Sequence, residues 1–265
     1  PSPSLREHSL LHDSMNDTFR KRLLGGEKLF GTIVTFNEPA VAEILTAVGY
    51  DWLFLDSEHA AYSTGDLTGM MQAAGNNVAC IVRVPATEEG IIKRTLDAGA
   101  DGIIVPQVNT AAQAEDVVRF SRYAPLGSRG VGLGRAHGYG LKFSEYVEKA
   151  NELVTIIVQA EHAEAVENIE EIVKVPGIDA VLLGPYDLAA SLGKMGQVDD
   201  PVVVDAIGHV TKVTQQAGLP LGMFGVTPEA VQPYVECGYT LLVAGVDTTH
   251  LAGAAQKTLE QLRGL

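Results

Sequence analysis

Short runs of apolar, largely β-branched residues recur along this chain, each closed by Gly, Pro, Asp or Asn and separated by stretches whose apolar positions fall at helical spacing. The strand-like runs are Gly31 to Phe36, Trp52 to Asp56, Ala79 to Val84, Gly102 to Pro106, Val154 to Gln159, Ala180 to Gly184, Leu219 to Phe224 and Thr240 to Gly245. Most are apolar at every position, as strands buried on both faces must be. The helical stretches are Pro39 to Val48, Gly65 to Gly75, Glu88 to Ala98, Ala111 to Tyr123, Ala163 to Val175, Val202 to Ala217, Pro228 to Cys237 and Leu251 to Leu262. A strand followed by a helix, eight times over without a linker, predicts a single (β/α)8 TIM barrel over residues 29–265, preceded by an N-terminal extension of residues 1–28. A dinucleotide-binding open sheet would require GxGxxG straight after the first strand, and Thr32 to Glu38 holds no such element. The glycine-rich insertion from Ala124 to Asn151 is too long for a routine connection and reads as a substrate lid or a subunit contact. The C-terminal helix, rich in small residues, can pack on its own barrel or swap into a neighbour.

Composition narrows the partners. Of 265 residues, 19 are Lys or Arg and 33 Asp or Glu, a net charge of −14 that repels phosphate backbones and anionic lipid. Nucleic acid and membrane are therefore not expected partners, and a site for a small anion must carry its own cations. The two cysteines, Cys80 and Cys237, lie far apart and outside any CxxC spacing, and the first 22 residues hold no apolar signal core; both fit a cytoplasmic protein.

In a βα barrel, chemistry collects where strands end, on the loops of the C-terminal face. Strand two ends in Asp56-Ser57-Glu58-His59, strand three in Arg83, strand five in Gln159-Ala160-Glu161 and strand six in Gly184-Pro185-Tyr186-Asp187. Glu161 and Asp187 follow successive strands, and two carboxylates without His or Cys suit a hard ion that keeps its waters, Mg2+ or Mn2+. His59 could act as a base, with Asp56 and Glu58 beside it to orient its ring or raise its basicity. Arg83 could bind a carboxylate or a developing enolate; as a purely structural residue it would be a buried charge in need of a partner. No lysine falls at a strand end, so carbonyl chemistry here would use a metal and not an imine.

The chain resembles the HpcH/HpaI class II pyruvate aldolases. The likeness rests on Gly49 to Trp52 leading into Asp56-Ser57-Glu58-His59, on Val82-Arg83-Val84-Pro85, and on Ile92-Lys93-Arg94 with Leu96-Asp97-Ala98-Gly99. It continues through Arg122 to Pro125, Arg129-Gly130-Val131-Gly132, Val158 to Glu161, Gly184 to Leu188 and Val243 to Asp247. The resemblance implies reversible, metal-dependent cleavage of a 4-hydroxy-2-oxoacid to pyruvate and an aldehyde. It implies Glu161 and Asp187 as ligands of Mg2+, Mn2+ or Co2+, a His59–Asp97 base dyad, and Arg83 as the group that steadies the enolate oxygen. It also implies that Gln159 lines the site, that turn amides near Tyr186 and Asp187 seat the pyruvate carboxylate, and that Arg135 reaches in from a neighbouring subunit. A homohexamer, built as a trimer of dimers, belongs to the same implication.

Two departures fall where the aldehyde would bind: Ile33 stands where many members have Trp, and the Arg129 to Gly140 segment looks shortened, with His137 and Tyr139 in unfamiliar places. The alternatives are a lyase that forms the same enolate from oxaloacetate or a CoA thioester, and a non-catalytic barrel that binds metal and oxoacid.

Overall fold

A computed structural model describes residues 16–265. Eight parallel strands close into a barrel in sequence order: β1 (Leu29–Val34), β2 (Trp52–Asp56), β3 (Ala79–Arg83), β4 (Gly102–Val105), β5 (Thr155–Ala160), β6 (Ala180–Leu183), β7 (Leu221–Gly225) and β8 (Leu241–Val246), with β8 paired back to β1. Around them run α1 (Asn16–Leu24), α2 (Pro39–Val48), α3 (Thr64–Ala74), α4 (Glu89–Asp97), α5 (Ala111–Ser121), α6 (Phe143–Leu153), α7 (Ala163–Glu167), α8 (Ile169–Ile172), α9 (Pro185–Ser191), α10 (Pro201–Gln216), α11 (Pro228–Glu236) and α12 (Asp247–Arg263). The expected barrel is present, and the strand positions agree with the apolar runs to within two residues at every end. β1 is the largest offset, because Leu29 and Phe30 already pair with β8.

The apolar alternation separates two cores. Residues such as Leu53, Leu55, Ile103 and Val181 face the helices. Ile33, Phe54, Ile81, Ile104, Ile157, Leu182 and Val243 fill the barrel interior. Trp52 crosses the lower interior against β1, where a Cβ on residue 31 would lie 2.6 Å from the indole, so Gly31 is what lets the ring in. Phe19 and Leu23 of α1 join this inner cluster beneath Trp52. Part of the N-terminal extension is thus the plug of the barrel floor, and the rest lies outside the described residues.

Three expectations change. The helix expected over Ala163 to Val175 is broken at Asn168 into α7 and α8. The insertion from Ala124 to Asn151 is not a lid over its own barrel's C-terminal mouth. It connects α5 to β5, so it returns to the N-terminal face, and it holds α6, whose Phe143, Tyr146, Ala150 and Leu153 recur at helical spacing. The C-terminal helix packs on its own barrel only through its first turn, where Asp247 is buried and His250 Nε2 lies 2.9 Å from Thr32 Oγ1; beyond Asp247 every residue of α12 is exposed, Leu251, Leu259 and Leu262 included. No helix among the described residues is long and apolar enough to cross a membrane.

Candidate active site

A cavity of about 180 Å3 opens at the C-terminal mouth, lined by Arg83, His59, Gln159, Gly184, Tyr186 and Asp187 on one side and by Ile33, Phe54, Leu182 and Phe224 on the other. Parallel pairing brings the polar set together. Asp56 and Arg83 are register partners at the ends of β2 and β3, so their side chains meet on the inner rim.

Arg83 is only 8% exposed and Asp56 3%. Asp56 accepts from Nε at 2.9 Å and from Nη2 at 2.7 Å, a two-point carboxylate clamp. Burial works against the guanidinium charge, and Asp56 with Glu58 more than restores it. Its plane also covers the Phe54 ring at 5.1 Å. The structural partner that the sequence left unassigned is therefore Asp56, and Nη1 has no hydrogen bond among the described residues. Asp56 does not orient the His59 ring: it caps the turn, accepting from the backbone N–H of Glu58 and His59 at 3.2 and 3.4 Å. Glu58 does lie beside the imidazole, with Oε2 3.7 Å from Nε2, and burial raises its carboxyl above the ordinary value against the pull of Arg83 and His59. The His59 side chain is 66% exposed at the rim.

Glu161 is 2% exposed. Its Oε1 accepts from the backbone N–H of Gln107 at 2.9 Å and from the Gln107 side-chain amide at 3.1 Å, and its Oε2 accepts from Gln159. Burial pushes its carboxyl up to about 7, against the Gln107 backbone donor, with Asp187 and Glu58 adding to the rise. Asp187 stands exposed in the first turn of α9, three residues beyond Gly184. A Cβ on residue 184 would lie 2.7 Å from Glu161 Oε2 and 2.8 Å from the Gln159 amide, so only glycine leaves the carboxylate room. Gln159 Oε1 is buried without a hydrogen-bond partner in a wall of this cavity. No lysine lines the cavity among the described residues.

One site assignment changes within a single chain. Asp97 ends α4, which runs antiparallel to the strands, so it sits at the N-terminal face while His59 sits at the opposite mouth. The His59–Asp97 dyad does not form inside one barrel. Asp97 instead binds Arg129 at 2.7 Å, a cation 1% exposed and stacked against Tyr123 at 4.6 Å. An acid at a helix C-terminus opposes the helix dipole, and Arg129 offsets that. Arg135 likewise lies at the N-terminal face of its own barrel, donating to the carbonyls of Ala98, Gly99 and Met71 at 3.2 to 3.5 Å. His137 is fully buried against Phe143 and Tyr146, with Tyr123 Oη 3.0 Å from Nε2; it and Tyr139 lie outside their own chain's cavity.

The sequence reading missed Gln107, Gly184 as the space for Glu161, and the role of Asp247. Asp247, buried at the start of α12, accepts from the Thr35 and Phe36 amides and the Thr35 hydroxyl, each at 2.8 Å, and so fixes the loop leaving β1 at the same rim. Position carried the signal for Gln107: it follows Pro106 at the end of β4, on the rim where the other polar residues gather.

Comparisons with known proteins bear on the fold and the family. A 4-hydroxy-2-oxovalerate aldolase from Rhodococcus jostii is 38% identical over 89% of this chain and 92% of its own. A hydroxypyruvate/pyruvate aldolase from Roseovarius nubinhibens is 34% identical over 93% and 97%. Among solved structures, an HpcH/HpaI aldolase/citrate lyase family protein from Burkholderia cenocepacia superimposes with a TM-score of 0.90 at 36% identity, covering 93% of this chain and 99% of that one. The family model described as HpcH/HpaI aldolase/citrate lyase matches residues 30–254, and the chain belongs to that family.

Proposed function

We propose that this protein cleaves and forms 4-hydroxy-2-oxoacids, exchanging them with pyruvate and an aldehyde, at the C-terminal mouth of its barrel. The protein is an aldolase, as its relatives are over nearly the whole chain. The observation that carries the more detailed reading is the buried Glu161 carboxylate, electrostatically coupled to Asp187 and lying behind the Gln159 and Gly184 wall of a cavity whose one lining arginine is already committed to Asp56. Such surplus negative charge fits a hard divalent cation, and Glu161 with Asp187 would hold it: Mg2+, Mn2+ or Co2+. When bound, the ion supplies Lewis-acid polarisation of the substrate oxygens.

The chain's own groups do the rest. Arg83, held rigid by Asp56 and Phe54, offers Nη1 to the oxygen on which negative charge develops. In condensation His59 takes a methyl proton of pyruvate and gives a proton to the aldehyde oxygen as the C–C bond forms; in cleavage it takes the hydroxyl proton as that bond breaks and gives a proton to the enolate carbon. Gln159 orients the oxoacid through the amide that faces the cavity. Amides at the start of α9, at Tyr186 and Asp187, receive the substrate carboxylate.

Asp97 and Arg135, both at the N-terminal face, can serve a site only across a subunit contact, so the dyad pairs His59 with Asp97 of the partner subunit. The exposed leucines of α12 support the same assembly, in which this helix packs on a neighbouring barrel within a homohexamer.

Chelation with EDTA should abolish cleavage and added Mn2+ should restore it, while borohydride in the presence of pyruvate should leave the protein mass unchanged. Activity that survives EDTA together with a borohydride adduct on a lysine would overturn this function.

A further inference from the structure

Gln107 has no role in the chemistry above, yet its geometry is costly. It is one of two non-glycine residues with positive φ among the described residues, at +53°. That backbone region disfavours a Cβ-bearing side chain by about 1–3 kcal/mol and persists where surrounding contacts over-determine it. Here the contacts are two hydrogen bonds to one atom. The backbone N–H reaches Glu161 Oε1 at 2.9 Å, and the side-chain Nε2 reaches the same oxygen at 3.1 Å. An extended backbone at residue 107 would send the two donors in different directions.

The other oxygen of Glu161 is placed differently. Oε2 accepts from Gln159 and is the atom closest to where a Cβ on Gly184 would stand. Gly184 and Gln159 both line the cavity, so Oε2 is the oxygen on the cavity side. The carboxylate is thus fixed at both ends, with its orientation set from β4.

We propose that Gln107 is a positioning residue: by engaging Glu161 Oε1 with two donors it commits that oxygen and presents Oε2 to the cavity for a divalent cation. Glu161 then binds the ion through one oxygen, in an orientation that does not have to be found at the moment of binding. This inference rests on the assignment of Glu161 as a ligand in the proposed function. Groups of this kind, which orient a ligand from behind, are worth about 10- to 100-fold in metal affinity.

Mn2+ titration of the metal-free full-length protein by calorimetry, without substrate, provides the test. Gln107→Leu removes the side-chain donor at similar size, and Gln107→Gly removes it while suiting the positive φ, so one variant keeps its fold if the other does not. Both should bind Mn2+ about ten-fold more weakly than the unsubstituted protein, with Gln107→Gly melting at or above its temperature. A merely structural role would lower the melting temperature and leave the affinity alone. Unchanged Mn2+ affinity in both variants, alongside lost binding in Glu161→Gln, would overturn the role of Gln107. Full Mn2+ affinity in Glu161→Gln would instead overturn the ligand assignment beneath it.

Discussion

The two ends of this barrel use the same residue types to opposite purposes. At the N-terminal end, Asp51, Asp101 and Asp179 each stand one residue before an even-numbered strand. Each accepts from the second residue of the strand before: Phe30 at 2.9 Å, Cys80 at 2.8 Å and Ile156 at 2.8 Å. Asp51 also binds Arg22 at 2.7 Å, and Asp179 binds both Arg20 and the buried Arg122. These carboxylates hold strand to strand and tie helix α1 to the barrel floor. At the C-terminal end, Asp187 lines a cavity with one arginine, Glu58 and Glu161 lie behind its Arg83 and Gln159 walls, and burial raises the Glu58 and Glu161 carboxyls. Two of the three frame acids are paired with arginines, whereas Glu161 and Asp187 have no ion-pair partner among the described residues, which marks the mouth as the candidate for chemistry.

Removing one acid from each end separates the two roles most sharply. Glu161→Gln should cost about 10³-fold or more in aldol cleavage, the several kcal/mol that a bound ion contributes, without lowering the melting temperature. Loss of folding in that variant would mean the mouth is structural after all. Asp179→Ala should behave in the reverse way. It strands the buried Arg122 and the Ile156 amide, which predicts a stability loss of about 3–5 kcal/mol by urea unfolding, with Mn2+ affinity retained by the folded fraction.

His59→Ala tests the division of labour inside the mouth. With Glu161 and Asp187 untouched, Mn2+ and pyruvate affinity should survive while kcat falls by at least about 10²-fold. Loss of metal binding in this variant would move His59 into the ligand set.

The smallest effect concerns Asp101, the frame acid whose nearby arginine, Arg135, donates to carbonyls instead of to it. Burial pushes its carboxyl up to about 6 from the ordinary 3.8, against the Cys80 amide and Arg135. The folded chain therefore holds this proton more tightly than the unfolded chain does. The stability it contributes is complete below about pH 4 and is lost as the pH rises through about 6. Asp101→Asn should flatten that part of the stability profile by about 2 kcal/mol, measured by unfolding at pH 4 and pH 7. An identical slope in the variant would show that Asp101 titrates normally.

Most of the frame was legible because barrel strands are short, apolar and bracketed by turn residues, and β2 and α2 lie where the pattern puts them. Helix α1 was less legible, since among its described side chains Phe19 and Leu23 are the buried apolar ones. Helix α6 was obscured by the glycine-rich stretch before it. Glu161, Asp187, Arg83 and Gln159 could be named from their positions after strands, because a parallel barrel sends every strand end to one face. The partners of these groups could not. That Asp56 clamps Arg83 depends on strand register, and that Gln107 reaches Glu161 depends on a positive φ that glutamine gives no sign of. Asp97, which the resemblance pairs with His59, is within one barrel bound to Arg129 instead.

The central claim is that the C-terminal mouth removes a methyl proton from pyruvate with Glu161, Asp187, Arg83 and His59. Proton exchange at that methyl group, followed by NMR in D2O with Mg2+ and without any aldehyde, tests it most directly. The unsubstituted protein should exchange the methyl protons, and Glu161→Gln and His59→Ala should both lose most of that rate. A folded, metal-loaded protein that leaves the methyl protons in place, or a Glu161→Gln variant that exchanges them as fast as the original, would contradict it.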